Sequence, residues 1–218
     1  DLAEQNLIKY LDKEKNNYEA YFQLGMVYWS RQEYSKAINY FKIARKSVHP
    51  LKLARYDYAY KQTILFKEAW VSYKKGDVEE SLIWLEQAEM LKGDFLGSVY
   101  NLKAINFSLI KSFNKAELYF KKAITTKPNF SEYYRSLANL YFDSQKYNDA
   151  ILNYKKCLNL NSNDIKSLLM IGLSYKQIKK ETLGLKWFQK FLDRCGNNCQ
   201  KILQEGNLLT SNAQNVNP

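Results

Sequence analysis

The sequence is poor in residues that break helices or carry catalysis. Its 218 residues include eight Gly and three Pro, too few for the turns of an all-β protein, so long helices are the default expectation. Three Cys are too few for a disulfide scaffold. A single His, His49, leaves little room for chemistry that needs a titrating imidazole. No run approaches about 18 consecutive apolar residues, so no segment is predicted to span a membrane.

The composition that remains is that of a globular, basic chain. Apolar residues make up 46% and aromatic residues 15%, which is high for a disordered protein. Thirty-three Lys and Arg against 22 Asp and Glu give a net charge of +11, which favours acidic partners but indicates nothing about the fold.

A 34-residue pattern recurs along the chain. Segments beginning at residues 97, 131 and 165 share aromatic, apolar and small residues at about eight matching places, and two earlier segments follow the same pattern. Small side chains at two of these places would let neighbouring helices approach closely. The eighth place holds Gly25, Ala69, Ala104, Ala138 and Gly172, and the twentieth holds Ala37, Ser81, Ala116, Ala150 and Gly184.

This pattern resembles the tetratricopeptide repeat, a helix–turn–helix unit, over nearly the whole chain. The resemblance implies an all-α, right-handed superhelical solenoid of antiparallel helix pairs, in which each pair buries its apolar face against the next. The predicted solenoid covers residues 1–205, with repeats at 18–51, 62–95, 97–130, 131–164 and 165–198.

Four segments depart from the regular pattern. Residues 1–17 match the second helix of an incomplete repeat, so we interpret the chain as a fragment. Residues 52–61 are an insertion, predicted to extend the following helix at its N-terminal end, with Pro50 in the first turn. Residues 199–205 are predicted to form a short capping helix, and the uncharged, Asn-rich residues 206–218 to be disordered.

The resemblance also assigns a binding surface. In tetratricopeptide repeat proteins the first helix of each repeat lines a concave groove, which here is aromatic and apolar towards the N-terminus and polar in the middle. The Lys and Asn of the carboxylate clamp of chaperone-binding members are replaced here by Phe22 and Met26, so that ligand is not expected. The predicted groove residues are Phe22, Met26, Trp29, Phe66, Trp70, Tyr73, Asn101, Ile105, Arg135 and Asn139.

Two interpretations of the groove aromatics remain open. They either dock an amphipathic helix or an apolar extended segment of a partner protein, with Trp29, Phe66 and Trp70 as anchors, or are covered by an upstream repeat, the extended helix or a tail. We favour docking. The resemblance then implies a non-catalytic scaffold or adaptor that assists complex assembly, without cofactor or metal. The alternatives are an assembly factor of a bacterial envelope machine (flagellum, pilus, secretion or outer-membrane apparatus) or the targeting arm of a larger enzyme.

The basic excess is concentrated in two repeats. Residues 97–130 and 165–198 each carry a net charge of +5, whereas residues 62–96 carry −3. We interpret most of the excess as solvated outer helix faces, with an acidic protein partner as the next interpretation. Nucleic acid is not predicted as a partner, because the lysines and aromatics are expected to lie on opposite faces. Direct membrane insertion is not predicted either.

The cysteines and the single histidine are predicted to be structural. Cys157 occupies a small, buried place, and His49 ends the first repeat. Cys195 and Cys199 could form a disulfide in an oxidising compartment, but free thiols are favoured, and no His lies near enough in sequence to suggest a metal site. A cytoplasmic and a periplasmic or envelope location both remain open.

Overall fold

The computed structural model describes residues 2–47, 55–91, 93–196 and 199. For residues 55–60 it describes the backbone only. His49, Pro50 and the predicted tail lie outside these residues, as does the predicted capping helix after Cys199. Every regular element in the described part is a helix, which confirms the all-α prediction. The helices are α1 Leu2–Lys13, α2 Tyr18–Ser30, α3 Tyr34–Ser47, α4 Arg55–Lys74, α5 Val78–Met90, α6 Leu96–Leu109, α7 Phe113–Thr126, α8 Ser131–Asp143, α9 Tyr147–Leu160, α10 Ile165–Gln177 and α11 Glu181–Cys195.

The chain divides into two compact units between Asn106 and Phe107. In the first unit α2 packs against α3 and α4 against α5, with α1 packed on α2 and α3 on α4. In the second unit α8 packs against α9 and α10 against α11, with α7 on α8 and α9 on α10. Each unit is therefore a stack of helices that contact their neighbours in sequence, which is the arrangement expected of a helical repeat.

Five interhelical turns share one backbone geometry. In the turn after α6, the Lys111 N–H donates to the Ser108 carbonyl at 2.9 Å and the Ser112 N–H donates to the Phe107 carbonyl at 2.8 Å. This pair of bonds is a Schellman motif, and it requires a left-handed residue at its centre. The central residues, with φ in parentheses, are Gln32 (63°), Gly76 (82°), Lys111 (58°), Gln145 (60°) and Lys179 (57°).

Replacing Gly76 with Ala should destabilise the first unit by about 1 kcal/mol, because the left-handed conformation is costly for any residue with a Cβ. A Cβ at Gly76 would have no other atom within 4 Å, so the effect isolates the backbone cost. The measurement is the shift of the urea unfolding midpoint. Lys111→Gly is the reverse control and should leave the protein equally stable or slightly more stable. A Gly76→Ala protein as stable as the wild type would contradict the assigned turn geometry.

The small residues of the eighth and twentieth places lie in the core, as the pattern predicts. All ten are buried, and seven of them, including Ala37, Ala138 and Ala150, are fully inaccessible to solvent. Among the three glycines at these places, Gly25 is the most crowded, since an added Cβ would lie 2.5 Å from Cε1 of the buried Phe41 ring. These places therefore set how closely the two helices of a repeat can approach.

The state of Cys195 and Cys199 differs from the one expected from the sequence. Cys195 and Cys199 form a disulfide, with 5.0 Å between their Cα atoms, instead of the free thiols favoured from the sequence. Cys195 is buried in an apolar cluster with Leu168 and Phe191, and Cys199 packs against the same cluster. The sequence spacing allows this bond, but only the structure places the two residues close enough to form it.

Alkylation of the native, non-reduced protein should label none of the three cysteines. Two are joined in the disulfide, and burial together with its hydrogen bond to Asp164 raises the pKa of the Cys157 thiol to about 12. After mild reduction without denaturant, mass spectrometry should find label on Cys195 and Cys199 only. Labelling of either residue before reduction would contradict the disulfide.

Candidate functional site

Three aromatic rings from three helices meet in the first unit. Trp29 is the second-last residue of α2, Tyr34 is the first residue of α3, and Trp70 lies near the end of α4. The Trp29 and Trp70 ring centroids are 4.9 Å apart, and each lies 5.2 Å from the Tyr34 centroid. All three side chains remain partly exposed. We call these three residues the aromatic cluster. It is the place where the predicted anchors Trp29 and Trp70 come together.

Tyr34 was missed as a site residue by the sequence analysis. It belongs to a second helix, whereas the groove was assigned to first helices only. The sequence does contain a pattern that could have identified Tyr34. Two aromatic residues lie five positions apart across the turn, Trp29 and Tyr34, and the same spacing recurs with Phe142 and Tyr147 in the second unit. That second pair also makes an edge contact, with centroids 5.4 Å apart.

Two lysines of α4 lie against the aromatic cluster. The Lys67 Nζ atom is 3.8 Å from the Trp29 ring centroid, and the Lys74 Nζ atom is 5.0 Å from that of Trp70. Burial lowers the pKa of Lys67. The expectation that lysines and aromatics lie on opposite faces is therefore wrong at this site. A segment that docks here meets aromatic surface and positive charge together.

The other predicted groove residues of α2 lie deeper than expected. Phe22 is only 8% exposed, and its ring centroid lies 5.6 Å from that of the buried Phe41. Met26 packs against the same core cluster and is partly buried. Phe22 therefore belongs to the core, because α2 turns this side chain towards α3.

Phe66, Tyr73, Asn101 and Ile105 occupy the rest of the first unit's predicted surface. Each is partly exposed. Phe66 lies 5.8 Å, centroid to centroid, from Phe95, and both Phe66 and Tyr73 pack against the core formed by α4, α5 and α6. The Asn101 Oδ1 atom is buried and accepts no hydrogen bond within the described part of the chain. Phe66 and Tyr73 therefore pack against the same core as Trp70, but among the described residues neither ring contacts the aromatic cluster.

The polar groove residues of the second unit have structural partners. The Arg135 guanidinium forms ion pairs with Glu132 and with the buried Asp164, the latter at 3.4 Å. Asn139 accepts a hydrogen bond of 2.6 Å from the Tyr154 hydroxyl. Asp164 also caps α10 by accepting from the Ser167 N–H. Arg135 and Asn139 therefore hold neighbouring helices together.

The second unit also contains an open apolar cleft of about 290 Å³ between α9, α10 and α11. None of the predicted groove residues lines it. Its walls are formed largely by Leu158, Leu168 and Trp187, with Lys190, Asp193 and Arg194 at the rim. Among the residues that the structure describes, no group of three or more His, Cys, Asp or Glu is placed to hold a metal ion. The described helices also include none that is long and apolar enough to cross a membrane.

The stacked helices and their shared turns define a helical-repeat protein. Two segments of the chain match the sequence model of a known repeat family, described as "Tetratricopeptide repeat": residues 18–44 and 131–164. Both matches begin where the sequence analysis placed the start of a repeat. Tetratricopeptide repeats generally form non-catalytic scaffolds for protein interactions. No curated protein matches the chain significantly by sequence.

Solved structures with the same fold cover almost the whole chain. MamA protein is 18% identical over 94% of this chain and 100% of its own, with a TM-score of 0.64. YrrB, described as a TPR protein with an unusual peptide-binding site, is 13% identical over 92% of this chain and 97% of its own, with a TM-score of 0.62. BtubC from P. vanneervenii is 15% identical over 99% of this chain and 91% of its own, with a TM-score of 0.73. At these identities the likeness establishes the fold alone.

Proposed function

We propose that this chain is a non-catalytic scaffold that docks a segment of a partner protein on the aromatic cluster and so assists the assembly of a larger complex. The observation that carries the proposal is the meeting of Trp29, Tyr34 and Trp70, whose rings remain partly exposed. Exposed tryptophans that are fixed by their neighbours make effective anchors, because little side-chain entropy is lost on binding. The peptide-binding site named for YrrB is consistent with this use of the fold.

The lysines at the cluster indicate the character of the segment. Lys67 precedes Trp70 on α4 and Lys74 follows it. The two lysines are seven residues apart, or about two helical turns, so both lie on the same face of the helix. An apolar or amphipathic segment with acidic side chains would bury its apolar residues on the rings and pair its carboxylates with the ammonium groups. The negative charge of such a carboxylate would raise the pKa of Lys67 and so oppose the lowering caused by burial.

The proposal is tested by photo-crosslinking in native cells, with a photoreactive amino acid at Tyr73, three residues after Trp70 on α4. Crosslinking to a partner should be seen from this position, and it should disappear in a Trp29→Ala/Trp70→Ala background. Trp84→Ala is the matched control: Trp84 lies on α5, with its ring under the Arg45 guanidinium at 4.9 Å. Equal crosslinking in all three backgrounds would exclude the cluster as the docking site.

A further inference from the structure

The two units differ strongly in charge. Residues 1–106 contain 16 Lys and Arg against 14 Asp and Glu, a net charge of +2. Residues 107–218 contain 17 against 8, a net charge of +9. The groove proposal concerns the first unit, so it does not account for the charge of the second.

Part of the excess charge lies on one kind of helix face in the second unit. Leu118 of α7 and Leu152 of α9 occupy the same place in successive repeats, and each is 53% exposed. Each is followed at helical spacing by a lysine pair, which lies on the same side of its helix. We call the residues Leu118, Lys121, Lys122, Leu152, Lys155 and Lys156 the lysine–leucine face. α11 continues the basic pattern with the exposed Lys186 and Lys190.

Lysines outnumber acidic side chains on this face. Glu117 pairs with Lys121 at 2.7 Å, but the same carboxylate also accepts from the Tyr141 hydroxyl and pairs with Lys146. Asp149 is exposed on α9, one turn before Leu152. The face therefore carries four lysines against these two carboxylates, which leaves it a net positive charge. One of the four, Lys155, is half-buried and donates a hydrogen bond to the Tyr175 hydroxyl at 3.0 Å.

The first unit offers a natural comparison. Ile83 of α5 occupies the place of Leu118 and is similarly exposed, at 54%. Its neighbours at helical spacing are Glu79, Glu80 and Glu86, so that the corresponding face is acidic. An exposed apolar residue at this place therefore occurs in both units, but only the second surrounds it with lysines.

The chemistry of the lysine–leucine face fits an anionic lipid surface better than an acidic protein. Leucines exposed between ammonium groups can enter the boundary between headgroups and acyl chains while the lysines contact lipid phosphates. Two of the lysines also lie over partly exposed tyrosine rings: Lys122 is 4.6 Å from the Tyr119 centroid and Lys156 is 5.9 Å from that of Tyr134. Tyrosine beside lysine is favoured at the membrane interface. An acidic protein surface would match the charges alone.

We propose that the lysine–leucine face binds the surface of an anionic lipid bilayer, peripherally and independently of the aromatic cluster. The test is co-sedimentation of the full chain with phosphatidylcholine vesicles, with and without about 30% phosphatidylglycerol. The wild-type chain should bind the anionic vesicles and not the neutral ones. Replacement of the four lysines with Gln should weaken binding about 100-fold or more, since each lysine near such a surface is worth roughly fivefold.

Two further variants separate lipid binding from simple charge attraction. Leu118→Ser/Leu152→Ser should weaken vesicle binding about tenfold through lost apolar burial. The matched control Ile83→Ser should bind as the wild type does, and so should Trp29→Ala/Trp70→Ala, which separates this proposal from the groove. The proposal is overturned if anionic vesicles are not bound at low salt. It is equally overturned if the leucine variant binds normally while polyglutamate displaces the vesicles, an outcome that would indicate an acidic protein.

Discussion

Replacing Trp70 with Ala should weaken partner binding about 30-fold. The Trp70 ring contacts both other members of the aromatic cluster, and Lys74 lies over it, so its removal takes away the centre of the proposed docking surface. Anchors of this kind commonly contribute about 2 kcal/mol or more, and about 1.4 kcal/mol corresponds to a tenfold change in affinity. The measurement is titration calorimetry with the crosslinked partner segment as a synthetic peptide.

Two controls distinguish a lost anchor from a disturbed fold. Trp70→Phe keeps an aromatic ring against Trp29 and Tyr34 and should lose less affinity than Trp70→Ala. Trp84→Ala removes the same side-chain type from α5 of the same unit and should change the affinity by about twofold or less. If Trp84→Ala weakened binding as much as Trp70→Ala does, the loss would reflect a destabilised first unit and the groove hypothesis would be wrong.

Ala150→Trp should destabilise the second unit by about 3 kcal/mol or more. Ala150 lies on α9 at the twentieth place of its repeat, is fully buried, and belongs to the helix pair α8 and α9. An indole at this position cannot fit without separating the two helices, because protein cores are close-packed. The measurement is the urea unfolding midpoint, followed by circular dichroism at the helix band.

Leu152→Trp is the matched control for this substitution. It introduces the same side chain two residues further along α9, where Leu152 is 53% exposed. The control should shift the midpoint by no more than about 0.5 kcal/mol, as expected for a surface position. Similar midpoints for the two variants would show that the assigned repeat register is wrong.

The class of fold and the places where the helices approach each other follow from the amino-acid sequence alone. Small residues such as Gly25, Ala138 and Ala150 recur at fixed places because a repeat imposes the same close contact in every unit. Their burial could be predicted since it depends on helical periodicity and on a register that a single chain displays. Trp29 and Trp70 could be assigned to one surface for the same reason.

The contacts that the side chains of that surface make are visible only in the folded structure. Tyr34 joins the aromatic cluster from a second helix, Lys67 lies on the Trp29 ring, and Phe22 turns into the core. Arg135 pairs with Asp164, the N-cap residue of α10, and Cys195 forms a disulfide with Cys199. Each of these outcomes depends on the rotamers of neighbouring side chains and on the path of turns between helices. The 34-residue register places backbone positions side by side, but it does not specify which way a long side chain points once its neighbours compete for the same space.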